Sequence, residues 1–203
     1  MSENLLRSIS NSSIGPFKWI NEAPYEKIDE DTLLITAPGD TDVFTDPVGV
    51  NIKANAPYLY QEVEGDFRMT AHVGHEFKST WDAAVLMIWD DQEKNAKLCF
   101  EKSDFGTKAI VSVVTNGVSD DANGVNYNWN NVWLQITRQG NIFALHYGPD
   151  GKNWNMVRLF RLDANKTIKI GMEAQCPAGE ESKIYFYHFN IDNTPVQDLR
   201  AGI

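Results

Sequence analysis

Between Asp66 and Phe77 the side chains obey a period of two, and that period most constrains what the chain can fold into. Phe67, Met69, Ala71, Val73 and Phe77 point one way, while Arg68, Thr70, His72 and Glu76 point the other. Side chains of a strand alternate between faces, so this segment is a strand of about ten residues with one buried face and one wet or cleft-lining face. A sheet with one apolar face must cover it with a second layer. The alternation recurs in Val132, Leu134 and Ile136 against Trp133, Gln135 and Thr137. It recurs again in Ile168, Ile170, Met172 and Ala174 against Lys169, Gly171, Glu173 and Gln175.

Three further segments are apolar on both faces, Ala83 to Ile88, Ala109 to Val114 and Ile184 to Ile191, and predict central strands covered on both sides. Turn residues punctuate the pattern at Glu64-Gly65-Asp66, Asp104-Phe105-Gly106, Gln139-Gly140-Asn141 and Pro149-Asp150-Gly151. No amphipathic helix longer than about two turns is legible. Roughly a dozen strands joined by short turns predict an all-β, two-sheet antiparallel jelly-roll sandwich. No stretch reads as a linker, so residues 1–203 are expected to form one domain with its core from about 17 to 193. The longest irregular stretches are Ala37 to Asn51 and Val118 to Asn131, and loops of such length in a compact β domain are often functional.

Charge narrows the partners. The chain carries 28 acids against 18 bases, a formal net charge of -10, which repels nucleic acid and anionic membrane alike. The first residues, MSENLLRSISNS, contain no apolar run of signal-peptide length, and no stretch approaches the roughly 18 apolar residues of a membrane span. Cys99 and Cys176 are the only cysteines, and without an export signal they are expected to be reduced thiols in a cytoplasmic protein.

Seven segments in register carry a family resemblance. They are Tyr60 to Phe67, Trp81 to Ile88, Lys97 to Glu101, Val113 to Asp120, Trp133 to Arg138, Pro149 to Trp154 and Pro195 to Arg200. Together they resemble the family of unknown function called DUF1349, also labelled regulation-of-enolase-1-like, from about Phe17 to Arg200. The resemblance implies a concanavalin A-like sandwich of the lectin/glucanase superfamily. The chain is also similar to the non-catalytic C-terminal sandwich of some β-xylosidases. The family pattern usually has Trp after Ser-Asp, where this chain has Asp121, which weakens an aromatic platform at that loop. A shared sandwich supplies a fold and not a reaction.

Catalysis finds little support in the residues. Retaining glycosidases need two carboxylates about 5–5.5 Å apart, which one strand can supply from same-face positions. Jelly-roll glucanases typically show Glu-x-Asp-x-x-Glu, and no such run occurs. The acidic cluster from Glu26 to Asp31 lacks a flanking apolar strand. No Gly-x-Ser-x-Gly elbow, phosphate-cradling Gly-rich loop or His beside Cys99 is present. Neither a cofactor nor a metal is expected. Asp40, Asp42 and Asp46 offer oxygen ligands without EF-hand spacing, and His72 and His75, three apart on a strand, face opposite ways.

Binding has better candidates. Glu101 shares a strand face with Lys97 and Cys99, opposite Leu98 and Phe100. If Glu101 and Asp120 converge, they can bond sugar hydroxyls or hold a cation; the alternative is a strand carboxylate paired with Lys97, Arg68 or Lys169. Sugars stack on aromatic rings while amide, carboxylate and cationic groups meet their hydroxyls. Trp133 shares its face with Gln135 and Thr137, with Tyr127 and Trp129 just before it, and Trp154 reads as a pin for the Asp150-Gly151 hairpin. The expected ligand site is therefore Glu101, Asp120, Trp133, Gln135, Lys97 and Trp129. The expected partner is a carbohydrate; the alternatives are a protein partner linked to sugar metabolism, or a hydrolase with a non-standard carboxylate pair.

Overall fold

The structure, a computed structural model, describes residues 3–194 and 196–203. Pro195, which opens the last segment of the resemblance, lies outside the described residues, as do Met1 and Ser2. Two seven-stranded sheets, all of whose paired strands run antiparallel, form the two layers. Numbered in chain order, the first sheet runs β1 (Lys18–Ile20), β6 (Tyr58–Glu64), β15 (Thr167–Gln175), β8 (Ala83–Trp89), β9 (Lys94–Lys102), β10 (Lys108–Asn116) and β11 (Val118–Asn126). The second runs β14 (Asn155–Arg161), β13 (Ile142–Gly148), β12 (Asn131–Gln139), β7 (Phe67–His75), β16 (Glu181–Asp192), β3 (Leu33–Pro38) and β2 (Tyr25–Lys27). A small hairpin, β4 (Val43–Thr45) with β5 (Ile52–Ala54), stands apart from both. The antiparallel two-sheet sandwich predicted from the alternation is the fold found.

The core lies between the inner faces. Phe67, Met69, Ala71 and Val73 of β7 are fully buried there, in one cluster with Leu98 and Phe100 of β9, Ile170 and Met172 of β15, and Phe186 of β16. Burying each such side chain contributes about 1.5–3 kcal/mol, so the period of two is itself the main determinant of the layering. The only helical element among the described residues is a 3-10 turn at Leu5–Ser8, and no helix is long and apolar enough to cross a membrane.

A second, smaller cluster occupies the outer face of the first sheet. It joins Tyr58, Val85, Met87, Cys99 and Val111 of the sheet to Val43 of the hairpin. The β4–β5 hairpin is therefore a lid over part of that face, and β8 and β10 are covered on both sides as their sequences predict. Two expectations differ. Ile184 to Ile191 lies on β16, whose other face presents half-buried Tyr185 and Tyr187; on the outside of the second sheet the C-terminal residues cover Gln135 and His146 instead. Val118 to Asn131 begins as the nine-residue edge strand β11, hidden from sequence inspection by its polar composition. Cys99 and Cys176 are both buried and unpaired, Cys99 in the outer cluster and Cys176 in the core.

Candidate functional site

Strand β9 alternates between the two clusters, and its outward residues build the site. Leu98 and Phe100 enter the core, while Lys97, Cys99 and Glu101 face the hairpin side. Lys97 is fully buried. A buried ammonium is tolerable only when its charge is answered and its donors are used. Its Nζ donates to Asp42 Oδ1 at 2.7 Å and to Gln175 Oε1 at 2.8 Å. Asp42 enters from the base of the hairpin and Gln175 from the end of β15, so one side chain ties three chain segments together.

The hairpin is held at further points. The Thr45 amide donates to Ser119 Oγ at 2.9 Å, and Ser119 in turn shares a 2.9 Å hydrogen bond with Thr115. The Cys176 amide donates to Thr41 Oγ1 at 3.1 Å. Lys53 of β5 pairs with Asp40. Between this lid and the sheet lies an open cleft of about 340 Å³. Lys97 and Glu101 of β9, Asp121 of β11 and Val113 of β10 line its sheet side. Phe44 and Asp46 come from the hairpin, and Trp81 and Asp104 complete the rim.

Trp81 is held in place with its indole in the open. The residue is 43% exposed, and its Nε1–H donates to Asp104 Oδ1 at 2.8 Å. The Gln175 amide closes the loop: its Nε2 donates to the Trp81 carbonyl at 2.9 Å while its Oε1 accepts from Lys97. Trp81 adopts φ of 67°, a left-handed conformation that a bulky residue rarely takes and that clusters at ligand sites.

Burial dominates the electrostatics. Glu101, nine-tenths buried, is pushed up to about 8 by loss of solvation, with Lys97 opposing and Asp121 and Asp42 adding to the shift. Glu173 lies deeper on β15, fully buried between Tyr58 and Val85, and neither carboxyl oxygen is hydrogen-bonded among the described residues. Burial pushes it also to about 8. Burial works against the Lys97 charge, yet Asp42 and Glu173 outweigh it and hold the ammonium above its ordinary range. The Cys99 thiol is pushed well up by burial and stays protonated.

The sequence-expected residues divide between two faces. Lys97 and Glu101 lie in the cleft, as their shared face requires. Asp120 faces away and forms an ion pair with Arg158 at 3.1 Å; its neighbour Asp121 reaches the cleft instead, because adjacent residues of β11 point oppositely. Trp133 and Gln135 belong to the second sheet, on the outer surface of the opposite layer, and do not meet Glu101. The Gln135 amide is buried and donates to the Gly202 carbonyl at 2.9 Å. The Trp133 ring stacks on His72 with centroids 5.0 Å apart, and Gly151 closes against its other side. Trp129 is 72% exposed beyond β11. Arg68 pairs with Asp192, and Lys169 lies over Tyr60, so neither neutralises Glu101. His75 is buried against Phe77, pushed down to about 3 by burial, and faces away from His72. Among the described residues no cluster of His, Cys, Asp and Glu fits a metal ion. Phe44, Trp81, Asp104, Glu173 and Gln175 were not singled out as site residues from sequence, and Asp42 was weighed there only as an oxygen ligand for a cation. The even-numbered offsets of Glu173 and Gln175 on a strand were the available signal.

Known proteins bear on this geometry as follows. Residues 19–194 match the model of a family described as protein of unknown function (DUF1349). No curated protein matches the sequence. Among solved structures the chain is similar to a functionally unknown protein from Saccharomyces cerevisiae, with 22% identity and a TM-score of 0.82 over 93% of this chain and 100% of that one. It is similar to a variant of the GH43 protein BlXynB from Bacillus licheniformis, with 12% identity and a TM-score of 0.73 over 94% of this chain and 39% of that one. It is also similar to a legume lectin-like domain from Entamoeba histolytica, with 10% identity and a TM-score of 0.60 over 89% and 91% of the two chains. At such identities these likenesses show the lectin-like sandwich fold, and the chain spans about two-fifths of the GH43 protein.

Two outcomes are expected from the buried charges. Lys97→Met leaves the Asp42 carboxylate unanswered and should lower unfolding stability by about 3–5 kcal/mol in urea titrations. Glu173 has a folded-state pKa above its unfolded one, so its contribution is present at low pH and is lost as pH rises towards about 8. Between about pH 5 and 8, Glu173→Gln should therefore gain on the order of 2–4 kcal/mol relative to the unmodified protein, read by unfolding at each pH.

Proposed function

The chain belongs to DUF1349, a family of proteins of unknown function, and we propose that it binds a carbohydrate or related polyol, without catalysis, in the cleft beneath the β4–β5 hairpin. The observation that carries this reading is the exposed Trp81 indole, fixed by Asp104, at the rim of a cleft whose floor offers a carboxyl, an amide and an ammonium. Sugar rings present an apolar face and a ring of hydroxyls, so they are met by one flat aromatic surface and several fixed polar groups. The cleft volume of about 340 Å³ is at the small end of ligand sites, which suits one or two sugar rings. The lectin-like fold of a structural neighbour is consistent with this reading.

One observation favours a second reading. Glu101, pushed up to about 8, holds a proton at neutral pH in the same cleft as Asp121, an arrangement that can serve acid-assisted glycoside cleavage. Turnover of aryl glycosides that disappears in Glu101→Gln would put hydrolysis in place of simple binding.

Calorimetry against a panel of mono- and oligosaccharides is the direct test. Trp81→Ala should weaken binding at least about tenfold, roughly the value of one aromatic stacking contact. Trp133→Ala, on the opposite layer, should leave it unchanged. A panel with no binder, or binding lost in Trp133→Ala and kept in Trp81→Ala, contradicts the proposal.

A further inference from the structure

The charges lining the cleft do not balance. Five carboxyl groups, on Asp42, Asp46, Glu101, Asp104 and Asp121, face two lysines, Lys53 and Lys97. Both lysines are already committed, Lys53 to Asp40 and Lys97 to Asp42. Asp104 is occupied by the Trp81 indole, and Asp46 accepts from the Val48 amide at 2.7 Å. Glu101 differs from these. It is only 6% exposed, lines the cleft, and among the described residues forms no side-chain hydrogen bond or ion pair. Its carboxyl opens only onto the cleft, where it keeps part of its contact with water while no protein donor compensates the part it has lost. Asp121, on the same wall of the cleft two strands away, is paired with no lysine or arginine among the described residues.

We propose that the ligand of this cleft is an amino sugar, its free ammonium seated on Glu101 and Asp121 and its ring against Trp81. The inference rests on the carbohydrate-binding reading and specifies the class of sugar. An ammonium answers the two unmatched carboxyls, which a neutral sugar only hydrogen-bonds. Trp81 and Phe44 add aromatic faces to the same cleft, and a cation near such faces gains further attraction as it loses water. An anionic sugar meets a field of its own sign and is excluded.

Binding is then coupled to a proton. The titratable and charged groups around Glu101 are Lys97 and Cys99 on its own strand, Asp121 on β11, Asp42 at the hairpin base, and Asp104 in the turn after β9. The adjoining positions on β8 and β10 are Ala83 and Ala109, which add no charge. Burial keeps Glu101 largely protonated at pH 7, with its pKa at about 8. An ammonium placed on it favours the carboxylate, so complex formation releases part of a proton.

The test compares sugars that differ only in charge. Glucosamine, galactosamine, mannosamine and a glucosamine tetramer are titrated beside their N-acetylated counterparts at pH 7, in two buffers of different ionisation enthalpy. At least one free amine should bind ten times more tightly than its acetylated form, with net proton release. Glu101→Gln, isosteric and checked for an unchanged fold by circular dichroism, should abolish both the preference and the release. If acetylated and neutral sugars bind as well as the amines, the amino-sugar inference fails while the carbohydrate reading stands. If the sugars fail and spermidine binds, the carbohydrate reading itself fails. If no amine binds, the inference is likewise overturned.

Discussion

An ammonium sealed inside a protein must be given partners or surrender its charge. Lys97 keeps its charge, and the arrangement that permits this shapes the functional half of the molecule. Its two hydrogen bonds reach the hairpin base at Asp42 and the end of β15 at Gln175. Gln175 then holds the Trp81 carbonyl. The lid, the sheet and the aromatic rim are therefore set relative to one another by one buried cation. Without it the hairpin would keep the Val43 contacts and its hydrogen bonds at Ser119 and Thr41, but the cleft would lose the charge that organises its floor.

The sandwich explains why only one of its outer faces could become this site. The inner faces are consumed by the core. On the second sheet the outer face carries His72, Trp133, Tyr185 and Tyr187, but these rings pack against one another, His72 stacked on Trp133 and Tyr185 on Tyr187. On the first sheet the 39–56 excursion rises over β8, β9 and β10, turning a flat face into a concave one and drawing Lys97, Glu101 and Glu173 out of water. The raised pKa values of Glu101 and Glu173 follow from that covering. A carboxyl on the same strands without the hairpin would stay solvated.

The strands were legible because burial writes a period of two into any sheet with one covered face, and β7, β12 and β15 show it. The face shared by Lys97, Cys99 and Glu101 was legible for the same reason. The site as a whole was not. Periodicity assigns a residue to a side of its own strand, but it does not say which layer that strand joins. Trp133 and Glu101 therefore looked compatible although they lie on opposite surfaces of the sandwich. Asp120 and Asp121 were separated only by the phase of β11, an edge strand whose polar composition conceals its alternation. Asp42 and Trp81 come from non-repetitive segments, where nothing in the local pattern reports that Asp42 meets Lys97 or that Trp81 meets Asp104 and Gln175.

The central claim is that ligand binding belongs to the cleft at Trp81 and not to the aromatic surface at Trp133. The six tryptophan indole N–H groups are natural reporters of that difference. In a nitrogen–proton correlation spectrum recorded during titration with a bound sugar, the Trp81 indole resonance should move progressively. The Trp133 resonance should hold its position. Movement of Trp133 with Trp81 unperturbed would place the ligand on the opposite layer and contradict the account.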